Sequence, residues 1–71
     1  MCRENSLKQI HAAMDTLQDA QCRDGLLYAH GQCNAFIQAA FEAEHISQKE
    51  KQSFERKVRT IYRKQITGEA A

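Results

Sequence analysis

An all-α fold of three helices, a helical hairpin followed by a third amphipathic helix and dimeric in assembly, is what the sequence predicts. Three observations predict it. The 71 residues contain no Pro and only three Gly, which leaves few helix breakers. Apolar residues recur at spacings of three and four in three successive segments, the signature of one buried helix face. Two Ser-x-x-Gln/Glu patterns, at Ser6–Gln9 and Ser47–Glu50, resemble capping boxes in front of apolar runs. A chain of this length forms one domain and buries a small core, so a partner subunit is a natural source of further burial.

The first helix is expected over about residues 6–22. Leu7, Ile10, Met14 and Leu17 follow a 3–4–3 rhythm, widened by Ala13 and Ala20. That seam resembles a short coiled-coil edge and is the candidate self-association surface. Lys8, Asp15, Gln18 and Asp19 occupy the opposite face. The rhythm meets polar residues at Gln21 and Asp24. Arg23-Asp24-Gly25 then provides either a Gly for a helix C-terminus or Asp24 as the next cap, so a tight helical hairpin is predicted.

The second helix is expected over about 25–45. Cys22, Leu26, Ala29, Cys33, Phe36 and Ala40 carry its rhythm, broadened by Ile37 and Phe41. Ala35, Ala39 and Ala43 are small enough to admit a neighbouring helix. Gly31 marks either close backbone contact or a kink, at a cost of about 1 kcal/mol relative to Ala. Apolar on more than one side, this helix is expected to be central or to meet a second subunit.

The third helix is expected over about 47–66, with residues 67–71 as a frayed tail. Ser47 and Glu50 should cap it reciprocally. Phe54, Val58, Ile61 and Tyr62 form its apolar stripe, and Gln65 continues the line. Lys49, Arg56, Arg59 and Arg63 fall on the other face, flanked by Lys57 and Lys64.

Charge is unevenly spread. The formal net charge is +1, yet residues 1–46 carry −3 and residues 47–66 carry +5. Such asymmetry marks a partner-binding face. Nucleic acid is the lesser candidate for that partner: Glu50 and Glu55 interrupt the positive charge, and no base-reading aromatic or Asn cluster accompanies it. Nor does the link before Ser47 carry the tight Gly turn of a helix-turn-helix.

Three cysteines at 2, 22 and 33, without a signal-peptide pattern or an apolar run near the roughly 18 residues of a membrane span, predict a cytoplasmic protein with reduced thiols. Cys2, near the terminus, is the candidate for adventitious oxidation or a dimer disulfide. His30-x-x-Cys33 puts two potential ligands on neighbouring turns, with Cys22, His11 and His45 as further candidates. Cys22 and Cys33 lie on the apolar rhythm, however, where a thiol behaves as a small hydrophobe. No metal, no cofactor and no enzymatic activity is therefore expected; a Cys–His pair also needs an orienting group and an oxyanion site.

The segment GLLYAHGQCNAFIQAAFEAEHISQKEKQSFERKV, residues 25–58 and about half the chain, resembles small helical proteins encoded by phages and prophages. The likeness lies in layout and size: a small-residue-rich helix with an internal Gly, an apolar–Ser turn, an acidic cap and a charged last helix. It implies an interaction module, in its sharpest form an antirepressor that binds and disables a transcriptional repressor. A small nucleic-acid-binding regulator and an inhibitor of a host enzyme or defence complex are the alternative expectations. Acting by surface contact needs an apolar patch ringed by charge. The candidate anchors are Tyr28, Phe36, Phe41 and Tyr62, and the candidate steering charges are Arg56, Arg59, Arg63 and Lys64.

Overall fold

Three helices in antiparallel succession form the molecule: α1 (Cys2–Asp19), α2 (Arg23–Glu42) and α3 (Gln48–Thr67). The computed structural model describes residues 2–67, with side chains from Arg3 onward. Cys2 therefore starts α1, while its thiol, and residues 68–71 of the expected tail, lie outside the described residues. Each helix touches the other two, and the α1–α2 hairpin is the largest interface.

α1 begins four residues before its expected start. Ser6 lies inside the helix, and its Oγ is 2.6 Å from His45 Nδ1. The pattern at Ser6–Gln9 is thus no cap. The earlier start is held from far along the chain: Arg3 donates to both Glu50 carboxylate oxygens, at 3.2 and 2.7 Å, and to the His45 carbonyl. Long-range partners override a local capping signal here. α1 ends at Asp19, three residues short of expectation. Gln65 Nε2 on α3 reaches the carbonyls of Leu17 (3.0 Å), Gln18 and Ala20 (3.3 Å). One amide group so reaches two orphan acceptors of the α1 C-terminus and the Ala20 carbonyl just beyond it.

The turn Ala20–Cys22 separates α1 from α2. Cys22 is the N-cap of α2, in extended conformation (φ −134°, ψ 162°), and its thiol accepts from the Gly25 N–H at 3.4 Å. Arg23, Asp24 and Gly25 form the first turn of α2. Neither the C-terminal Gly nor the Asp24 cap read from the sequence is used.

α2 ends in a Schellman motif. The His45 N–H donates to Ala40 O (2.8 Å) and the Glu44 N–H to Phe41 O (3.0 Å), the 6→1 and 5→2 bonds of that motif. Glu44 occupies its left-handed position with φ 62°, where Gly is the usual residue. The α2 boundaries are thus Arg23 and Glu42 rather than 25 and 45. At Gly31 a Cβ would meet nothing within 4 Å, so the glycine permits no close contact. Ala35, Ala39 and Ala43 are likewise exposed and face no helix of this chain.

α3 starts as predicted. The Ser47 N–H donates to Glu50 Oε1 (2.9 Å) and the Glu50 N–H to Ser47 Oγ (3.1 Å). It runs one residue further than expected, through Thr67, whose hydroxyl donates to Arg63 O and Lys64 O.

The core comprises Ile10, Ala13, Leu17, Leu26, Ala29, Cys33, Ile37, Ala40, Ile46, Phe54 and Val58, and no polar or charged side chain is buried among the described residues. Ile37, read as a flanking residue, is at the centre. Phe36, read as a stripe residue, is half-buried at the edge, and Cys22 is exposed. Ile10 and Leu17 are fully buried, with Leu7 and Met14 packed partly against them. Half of the coiled-coil-like seam of α1 is therefore buried within the monomer, and Leu7 and Met14 remain partly exposed.

Candidate interaction surface

Among the described residues the large hydrophobic side chains left in solvent are Leu27 (50% exposed), Tyr28 (66%) and Ile66 (57%). Leu27 and Ile66 face one another across a groove of about 470 Å³ at the end of the bundle, lined also by Cys22, Arg23, Tyr62 and Gln65. Adjacent leucines at 26 and 27 explain half of this. At about 100° per residue both cannot face one core; Leu26 turns in and Leu27 turns out. Ile66 stands in the same relation to Gln65, whose amide is held against the end of α1.

A second cleft, about 420 Å³, lies further along the same α2–α3 seam and is lined by His30, Asn34, Glu55, Val58 and Arg59. The His30 and Tyr62 rings stack between the two clefts, with centroids 4.1 Å apart and planes 29° from parallel. Arg59, Arg63 and Ile66 follow a 4–3 spacing, which aligns them on one edge of α3. Arg23 stands at the groove's mouth. Glu55 is held by Lys51 at 3.1 Å. Among the described residues Arg23, Arg59 and Arg63 have no carboxylate within ion-pair distance, the pairs being Arg3–Glu50 and Lys51–Glu55.

The candidate anchors named from sequence do not converge. Tyr28 points to solvent, its hydroxyl accepting from Gln32 Nε2 at 3.1 Å. Phe36 and Phe41 pack on opposite edges of α2, partly against the core, and the Lys51 ammonium sits 5.4 Å from the Phe41 ring. Tyr62 alone lines the groove. Of the candidate charges, only Arg59 lines the seam; Arg56 and Arg63, seven residues apart, share the outer face of α3, and Lys64 lies towards its other edge. All four are exposed. Arg23, Leu27 and Ile66 escaped the sequence reading; the doubled Leu26-Leu27 was the available signal.

The potential metal ligands are scattered. His11 meets the Phe54 ring edge-on at 5.7 Å, His30 stacks on Tyr62, His45 contacts Ser6, and Cys33 is buried. No three His, Cys, Asp or Glu side chains gather as ligands among the described residues. Burial pushes the Cys33 thiol pKa up. The Arg3 guanidinium, and then the Ser47 N–H, hold Glu50 down at about 2 against an ordinary 4.5. No helix of the described residues is long and apolar enough to cross a membrane.

The fold defines an all-α three-helix domain. No protein-family model matches the chain, and neither curated proteins nor solved structures include a match to it.

Proposed function

We propose that this is a small non-enzymatic regulatory protein that acts by protein–protein contact, of the antirepressor kind that its layout resembles. The observation that carries the reading is the exposed pair Leu27 and Ile66, which line one groove with Arg23 and Tyr62, beside a second cleft that holds Arg59; among the described residues neither arginine makes an ion pair. An apolar centre with a charged rim is how binding surfaces distribute their work: the centre supplies affinity and the rim supplies encounter rate and selectivity. The role is cytoplasmic, needs no cofactor, and in its sharpest form consists of occupying a repressor so that its operators are freed. Inhibition of a host enzyme or defence complex uses the same kind of surface.

The test is affinity capture from the source cell with tagged protein, under nuclease and at moderate salt. A single stoichiometric protein supports the reading, and a repressor among the captured material supports the antirepressor form. Recovery of nuclease-sensitive material alone contradicts it.

One observation favours a second reading, a nucleic-acid-binding regulator. Lys49, Arg56, Lys57, Arg63 and Lys64 are exposed along 20-residue α3 and make no ion pair among the described residues. Phosphate contacts release counterions, so that reading requires affinity for a DNA or RNA duplex to fall steeply with salt.

A further inference from the structure

The two clefts described above lie on one seam. At one end Leu27, Tyr62 and Ile66 supply apolar lining among polar neighbours. Along the seam the α3 edge presents Arg59, with Arg63 exposed one turn further on, and the α2 edge presents uncharged Leu27 and Asn34. Arg23 closes the apolar end with a third cation. The one carboxylate in the seam, Glu55, is neutralised by Lys51. The seam thus offers exposed apolar side chains at one end and the arginines Arg23 and Arg59.

We infer that the α2–α3 seam is a docking groove for an acidic amphipathic helix of a partner protein. The inference rests on the protein-contact reading above and assigns it a place and a partner chemistry. Charge complementarity selects the occupant. Arg23 and Arg59, without carboxylate partners among the described residues, favour Glu or Asp opposite them, with Arg63 exposed beside Arg59, and Arg suits a carboxylate because its planar fork binds both oxygens. The exposed Leu27 and Ile66 side chains favour an apolar anchor, which a phosphate backbone does not offer. The described residues are helical, with no sheet edge for an extended peptide to join, so the seating mode is a helix in a groove, with apolar anchors at i, i+3 and i+7.

The test uses isotope-labelled full-length protein and a synthetic amphipathic peptide of about four turns, long enough to be helical once docked. The peptide carries Leu at i, i+3 and i+7 and Glu along one edge; a twin carries Lys in place of every Glu. The Glu peptide should shift the amide resonances of Leu27, His30, Arg59, Tyr62, Arg63 and Ile66. It should bind at least about tenfold more tightly than the Lys twin, with an advantage that shrinks as salt rises. The double substitution Arg59→Glu and Arg63→Glu should reverse the preference; both positions are exposed, and circular dichroism checks that the helices persist. Equal affinity for the two peptides overturns the inference. So does a shift pattern centred on Lys49 and Arg56, a DNA duplex that displaces the peptide, or a seam occluded by self-association. Capture of a cellular protein whose binding ignores Leu27→Asp and the double charge reversal sinks the groove while leaving the protein-contact function standing.

Discussion

Glu50 binds distant parts of the chain together. It caps α3 through the Ser47 N–H and holds Arg3 at the start of α1. Its carboxyl pKa falls to about 2 in the folded protein, below its unfolded value. The contribution to stability is therefore complete above about pH 4.5 and is lost as pH falls from there through about 2. Urea melts across that window should show the loss, and Glu50→Gln should flatten it while lowering stability at neutral pH. Gln65 serves α1 from α3 in the same way. Gln65→Ala should destabilise by about 1–2 kcal/mol, since partly buried carbonyls lose their donor; the midpoint of denaturation reads this directly. Cys33, fully buried with its thiol pKa raised, should resist thiol reagents until the protein opens. Cys22 should react at once, as a time course in a Cys2→Ser background would resolve.

At the scale of elements, the helices announce themselves by rhythm and their ends by chemistry. The α3 cap was legible because both of its bonds are local, between residues three apart. The α1 start was not, because Arg3 is held by a carboxylate 47 residues away, and no window along the chain contains that pair. Gly25 misled for a related reason. A Gly after an apolar run reads as a helix end, yet Cys22 had already turned the chain, and Gly25 lies one turn into α2. Two substitutions follow from the observed ends. Gly31 lies in mid-helix with open space where its Cβ would be, so Gly31→Ala should stabilise by about 1 kcal/mol. Glu44 holds a left-handed conformation at the α2 C-terminus, and Glu44→Gly should stabilise by about 0.5–1 kcal/mol, the relieved strain being partly offset by backbone entropy. Equilibrium denaturation of each variant measures both.

For the whole molecule, the core was readable and the surface only in part. Ile10, Leu17, Leu26, Ala29, Cys33, Val58 and their neighbours lie on the stripes because burial imposes period 3.6 on every helix at once. Which apolar residues remain outside depends on how the helices are rotated against one another. The pattern within one helix does not contain that rotation. Leu27 and Ile66 become neighbours only when α2 and α3 pack antiparallel, and Arg23 joins them only through the turn at Ala20–Cys22. The basic residues were visible, but their division between the seam and the outer face of α3 was not. The same packing buries Ile10 and Leu17 of the α1 seam inside the monomer and leaves the α2–α3 surface as a place where exposed apolar side chains and arginines without ion pairs among the described residues coincide.

The central claim is that this surface captures a protein. The measurement that tests it most directly is quantitative affinity capture from source cells with the wild-type protein beside a Leu27→Asp, Arg59→Glu, Arg63→Glu variant shown to be folded. The account predicts one stoichiometric protein on the wild type, resistant to nuclease and depleted at least about tenfold on the variant, as removal of hot-spot and rim contacts together implies. Identical protein profiles on the two baits, or nucleic acid as the common captured material, would contradict it.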